Sequence, residues 1–187
     1  MAGGVTRESY FETGLEVLAD LGYGGLKLAE VCERLGVTTG SFYHYFPNWL
    51  AFTRELVGHW VQVRTTRVAE AVHAEPDPRR RIDIMVTEAL ALPHGAEAAI
   101  RVWSSLDSDV YQVQANVDQQ RFEVMAQSAL AILCDQRGAE LFASWAVYLL
   151  VGYEQATLPR NADTAQWISR RMLAALDSGW FTSISDA

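Results

Sequence analysis

Between Thr38 and Tyr45 the chain concentrates small donors and acceptors that could meet a nucleic acid. Thr38, Thr39 and Ser41 carry hydroxyls, His44 an imidazole, Tyr43 a phenol, and Gly40 no side chain at all. Hydroxyl and imidazole groups can donate to phosphate oxygens or reach base edges in a groove, and a glycine lets a phosphate backbone come close. A helix start at this point would add oriented amides that favour an anion. The bland alternative is a set of solvated polar residues on a small helix, and spacing alone leaves both open.

Catalytic chemistry finds no comparable constellation. His44, His59, His73 and His94 form no close ligand pair, and neither Asp107 with Asp109, nor Glu88, nor Cys134 beside Asp135 has a spacing that requires a site. The reading is therefore not an enzyme, with no cofactor and no metal. Cys32 and Cys134 cannot build a disulfide framework, which suits a reduced compartment. The start of the chain lacks the regions of a secretory signal, and no apolar run is long enough to span a bilayer, so a cytoplasmic setting without membrane is expected. With 15 basic against 23 acidic residues the net charge is −8, which argues against indiscriminate coating of nucleic acid.

These residues need elements to hold them, and the pattern is helical throughout. Thirteen glycines and five prolines cluster at breaks, and no stretch alternates as a strand would. A first helix is expected from Thr6, its cap, to Leu21, with Phe11, Leu15 and Leu18 on one face. A second carries Leu28, Val31, Cys32 and Leu35 and should stop at Gly36 in the left-handed conformation. The third, Thr38 to Tyr45, is too short to survive alone, so Phe42 and Phe46 must anchor it inward. That turns Thr39, Ser41, His44 and Tyr45 outward or toward the helix start. Pro47 opens a long fourth helix with Leu50, Thr53, Leu56, Trp60, Val63 and Arg67 along one side. Breaks at Pro76–Pro78, Pro93–Gly95, Asp107–Asp109 and Leu158–Asp163 separate later helices, including a long one expected to reach Gln136 and another starting at Gly138.

Two short helices joined through Gly36-Val37 have the proportions of a helix-turn-helix. The run Leu28 to Leu50, and within it Gly36-Val37-Thr38-x-Gly40-x-Phe42-Tyr43-x-x-Phe46, resembles the signature of TetR-type transcriptional regulators. The resemblance implies an all-α homodimer with two parts. Residues 1–47 would be a three-helix DNA-binding unit, and residues 48–187 a helical bundle that binds a small molecule and dimerises. It further implies that Thr38 caps the recognition helix and touches a phosphate. Thr39, Gly40 and Ser41 would lie nearest the bases with His44 beside them, and Tyr43 would bond a phosphate through its hydroxyl.

Two positions depart from the family. Lys27 stands where a capping Thr is usual, and as the chain's sole lysine it offers a charged phosphate contact instead. Trp49 replaces a usual lysine, so it can donate one hydrogen bond but releases no counterion. Residues 1–46 hold three basic residues and six acids, which predicts weak non-specific binding and a shallow salt dependence. These departures keep a second reading in play, a helical ligand-binding or interaction protein with a weakened DNA face.

In the larger part, the segment from Glu140 to Glu154 is apolar almost all round and must be covered on two faces. The last helix offers Trp167, Ile168, Met172, Leu173, Leu176 and Trp180, with Arg170 and Arg171 between. An ordinary core would explain both. With the resemblance, helices 139–155 and 163–180 instead pair with their symmetry mates in a four-helix interface. Two-fold symmetry would match a double-stranded, palindromic operator. Candidate walls for a hydrophobic effector are Trp103, Tyr111, Phe122, Met125, Trp145 and Tyr148, with Gln119 and its neighbours Gln112, Asn116 and Gln120 to orient it. Arg79, Arg80 and Arg81 read as a solvated helix start.

Overall fold

In a computed structural model, which describes residues 5–182, most helices begin at a residue whose side chain caps them. Thr6 accepts from the Ser9 amide and Ser9 answers at the Thr6 amide, closing a capping box on α1, Arg7–Leu21. Gly22, at φ 68°, ends that helix, and a short 3₁₀ turn, Tyr23–Gly25, follows. Helix α2, Leu28–Leu35, starts at Lys27 without a side-chain cap and stops at Gly36 in the left-handed region (φ 67°, ψ 32°). Helix α3 is Thr39–Tyr45, and Asn48 caps α4, Trp49–Ala74, through the Ala51 amide at 2.8 Å.

Asp77 with Pro78 at the first position launches α5, Pro78–Leu90, and α6 is His94–Ser104. Asp107 accepts from the Asp109 and Val110 amides at the head of α7, Ser108–Leu133. Helix α8 is Gln136–Gln155, and α9, Ala162–Asp177, precedes a last 3₁₀ turn, Trp180–Thr182. The described residues contain nine α-helices and no strand. None of those helices is long and apolar enough to cross a membrane.

Three expectations are corrected. The long seventh helix stops at Leu133, short of Gln136, because Cys134 turns left-handed (φ 53°) and Asp135 caps α8 through the Arg137 and Gly138 amides. A strong cap three residues earlier than the glycine outcompetes continuation, so α8 starts before Gly138. On α4 the buried residues include Phe52, Thr53, Leu56, Val57, Trp60 and Val72, while Leu50 and Val63 are exposed. Thr53, Leu56 and Trp60 therefore lie inward as expected and Leu50 and Val63 do not, while the side chain of Arg67 lies outside the described residues. The final helix ends at Asp177, and Gly179, at φ 70°, separates it from Trp180.

The chain divides into two compact units, Met1–Arg64 with Pro93–Gln114, and Thr65–Leu92 with Ala115–Ala187, so α4 and α7 contribute to both. The first unit is built on aromatic packing. Tyr10, Phe42, Phe46, Phe52 and Trp60 are fully enclosed, and Tyr10 meets Phe42 and Phe46 edge-on with centroids 5.7 and 5.6 Å apart. Helix α6 also belongs here, because Gly95 brings its start against the Ala19 backbone of α1 and Trp103 stacks on Tyr23 at 5.0 Å. The Trp60 indole donates to the Glu97 carboxylate at 2.8 Å within this interior, where Glu97 is 2% exposed.

The second unit encloses Ile82, Met125, Ala129, Ala139, Phe142, Ala143, Met172, Leu176 and Phe181. Gly138 lets the carbonyl of Phe181 approach the start of α8 to a distance that a Cβ would block. Arg79 ties α5 to α9 through Asp177 and also pairs with Asp83, while Arg81 donates to the Glu75 carbonyl at 2.6 Å. Arg79 and Arg81 are therefore engaged within the fold at this helix start, while Arg80 is exposed as a solvated residue would be.

Candidate nucleic-acid interface

Helix α3 is short because Thr38 starts it and Phe46, with its amide on the Phe42 carbonyl, stops it. Two turns cannot persist by hydrogen bonding alone, and burial of Phe42 and Phe46 supplies about 1.5–3 kcal/mol each. Both rings are enclosed as the spacing required. Their enclosure fixes which side of α3 is left outside. Thr38, Thr39, Gly40, Tyr43 and His44 are exposed there, and Lys27 is exposed at the head of α2.

The first turn is organised by its own cap. The Ser41 amide donates to the Thr38 hydroxyl at 3.3 Å and to the Thr38 carbonyl at 3.0 Å. That use removes one amide from the set available to an external anion. A Cβ built on Gly40 would meet only the Thr38 Oγ1, at 3.6 Å, so the space outside that backbone is open. Tyr43 is 55% exposed, with its ring edge-on to Phe42 at 5.4 Å.

Tyr45 and Ser41 do not project freely, contrary to the outward placement expected for them. The Tyr45 ring lies 5.3 Å from Tyr10, and its hydroxyl donates to the Val5 carbonyl at 2.5 Å. Ser41 is half-buried and accepts from the Tyr10 hydroxyl at 3.3 Å. Burial raises the Tyr10 pKa above its ordinary value, with the Ser41 hydrogen bond opposing, so the phenol remains a donor across neutral pH. Trp49 is also half-buried, its ring 4.9 Å from Phe52 and 6.0 Å from Phe42. Among the described residues nothing engages its indole N–H.

The charges around this surface are mostly spent internally. Arg34 pairs with Asp20 at 2.6 Å and Glu30 at 2.8 Å, and these acids hold its guanidinium above the usual range. Arg7 pairs with Glu55, donates to the Tyr45 carbonyl at 2.5 Å, and lies over the Phe46 ring 4.5 Å from its centroid. Arg54 reaches Asp109 at 3.3 Å. Lys27 has no ion-pair partner among the described residues. The roles of Arg7, Tyr10 and Tyr45 were not legible in the sequence, since their spacing along the chain carries no periodic signal for contacts made across helices.

The proposed effector residues are distributed over both units. Trp103 and Tyr111 fall in the first, Trp103 buried against Tyr23 and Tyr111 exposed. In the second, Met125 is core, Phe122 packs at the core edge, and Gln119 donates to Glu123 at 2.8 Å on the surface. Trp145 packs on Trp180 and Phe181, and Tyr148 is 72% exposed. Among the described residues no group of three His, Cys, Asp or Glu side chains could hold a metal ion.

Residues 11–51 match the family model described as bacterial regulatory proteins, tetR family. No curated protein matches the chain in sequence. Solved structures resemble it along nearly its whole length. The choline complex of a protein assigned as a transcriptional regulator in Saccharomonospora viridis has a TM-score of 0.76 at 15% identity, covering 90% of this chain and 95% of that one. A transcriptional regulator from Rhodococcus sp. Rha1 gives 0.70 at 19%, covering 94% of each chain. The regulator FadR from Bacillus subtilis, in complex with stearoyl-CoA, gives 0.67 at 14%, covering 93% and 99%. At these identities the likeness is one of fold.

Proposed function

We propose that this chain, whose residues 11–51 match the model of the tetR family of bacterial regulatory proteins, is a TetR-type repressor released from a palindromic operator by a small hydrophobic effector. Residues 1–47 read the DNA and residues 48–187 bind the effector and dimerise. The observation that carries the DNA reading is the exposed side of α3, where Thr38, Thr39, Gly40, Tyr43 and His44 stand clear of the core while Phe42 and Phe46 are enclosed. Thr39, Gly40 and His44 face the base edges, and Thr38, Tyr43 and Lys27 take phosphates. Ser41 adds its hydroxyl in the orientation Tyr10 gives it, and Trp49 offers its indole N–H to a phosphate.

Dimerisation through helices 139–155 and 163–180 is supported by aromatic side chains that a single chain leaves bare. Tyr148, Trp167 and Trp180 are 72%, 54% and 51% exposed, and Trp145 joins them beside Trp180. Large apolar groups so placed mark an interaction surface. Two-fold pairing would set two α3 helices at a spacing of about one helical turn of DNA, ~34–36 Å, or a multiple of it. The choline and stearoyl-CoA in the structural neighbours make a ligand role for this fold natural, and the large side chains Phe122 and Met125 suit an apolar ligand here. An effector that prefers the form of the dimer with the two α3 helices wrongly spaced lowers operator affinity by that same preference, with α4 as the transmitting element. Equal effector affinity for free and operator-bound protein would rule this out.

One observation favours a second reading, a ligand-binding or interaction protein with a weakened DNA face. Arg7 and Arg34 are both engaged by acids, leaving Lys27 as the basic side chain without an ion-pair partner among the described residues up to Phe46. Selection from a random duplex pool separates the two. A palindrome supports the regulator, and no enrichment supports the alternative. With an operator in hand, His44→Ala should change the base preference, and Tyr43→Phe should weaken all sites about equally. Wild-type behaviour from both variants would show that the contact surface is misassigned.

A further inference from the structure

The beginning of the chain grips α3 at both ends, and apolar packing does not explain why. Phe42 and Phe46 fix which side of a seven-residue helix turns inward and how deep it sits, but two rings on one side set its finer rotation about its own axis only loosely. Directional bonds remove that freedom. At the N-terminal end the Tyr10 hydroxyl donates to Ser41 Oγ at 3.3 Å. At the C-terminal end Tyr45 donates to the Val5 carbonyl at 2.5 Å, and Arg7 Nη1 donates to the Tyr45 carbonyl at 2.5 Å. The same guanidinium reaches Glu55 of α4 through Nε at 3.1 Å and through Nη2, and its plane covers the Phe46 ring at 4.5 Å.

From this arrangement we infer that Arg7 is a positioning residue for the recognition helix, one that sets its roll by tying the Tyr45 carbonyl to Glu55 without itself touching nucleic acid. The inference rests on the reading of α3 as the DNA-contacting element. The last carbonyls of a helix have no partner within it and carry its negative end, so a guanidinium there is well matched. One planar fork serves the carbonyl and the carboxylate together. A lysine ammonium has the charge but not that geometry. The Glu55 carboxylate that neutralises Arg7 also distinguishes it from a phosphate contact, which would have to surrender that pair first.

The test compares the full-length wild type with Arg7→Lys, Arg7→Gln and Glu55→Gln on the operator selected from the random pool, with affinity measured across a salt series. Expected is a loss of roughly tenfold for both Arg7 variants and a smaller loss for Glu55→Gln. The slope of log affinity against log salt should stay unchanged in all three. A direct phosphate contact predicts otherwise: retained affinity in Arg7→Lys, a slope shallower by about one contact in Arg7→Gln, and unchanged or tighter binding in Glu55→Gln. Any of these results overturns the inference. Helical circular dichroism verifies that each variant is folded, and if the Arg7 variants are not, Glu55→Gln decides, since wild-type affinity there would overturn it. A wild type that selects no sequence defeats the DNA-binding reading itself, and this inference with it.

Discussion

At the residue scale, Gly40 and Thr38 would set the local terms of the proposed recognition. Thr38 was legible as a cap because a β-branched hydroxyl precedes a helix start by the right interval, and its bond to the Ser41 amide has that geometry. Gly40 read as a place of close approach, and the open space beyond its Cα agrees with that use. The substitution Gly40→Ala should therefore leave the fold intact. It should even raise the thermal midpoint slightly, as alanine is favoured over glycine in a helix by roughly 0.5–1 kcal/mol. Operator affinity should nevertheless fall at least tenfold in a fluorescence anisotropy titration. Unchanged affinity would mean that no backbone approaches there. Ser41 and Tyr45 were less legible, because a hydroxyl looks the same in sequence whether its partner is water, a base or the Val5 carbonyl.

At the scale of elements, the order of helices could be read from caps and breaks, and the helix-turn-helix from its glycine and its two phenylalanines. What could not be read was the company each helix keeps. Helix α6 packs in the first unit, with Gly95 against Ala19 and Glu97 receiving the Trp60 indole, although 19 and 95 are far apart in the chain. A Cβ at Gly95 would lie 2.7 Å from the Ala19 carbonyl oxygen, and backbone cannot move aside as a flexible side chain can. Gly95→Ala should thus cost about 1–3 kcal/mol, seen as a lower urea midpoint with the slope preserved. A stability equal to wild type would show that α1 and α6 can separate without penalty. Trp103, expected on an effector wall, is instead part of this interior, as its stack on Tyr23 shows.

For the whole molecule, the exposed aromatic surface on α8 and α9 is the feature that a lone chain leaves unexplained. If the proposed dimer forms there, Trp167→Glu and Tyr148→Glu should each weaken self-association by about a hundredfold or more, because buried aromatic anchors dominate such interfaces. Sedimentation equilibrium would read this as a shift to the monomer mass. An unchanged dimer would place the interface elsewhere. The internal pairing of Arg7 and Arg34 sharpens the expectation of a shallow salt dependence, since a cation already neutralised by a carboxylate releases few counterions from DNA.

The order of residues alone determined that this chain is helical, where most of its helices start and stop, and which side of α3 must turn inward. Those are short-range matters, governed by backbone geometry, caps and the period of apolar side chains. Only the tertiary structure decided that Tyr45 turns back onto Tyr10, that Arg7 is committed to Glu55, and that α6 packs on α1. Such contacts join residues tens of positions apart, and their energies depend on distances and directions that no local pattern encodes.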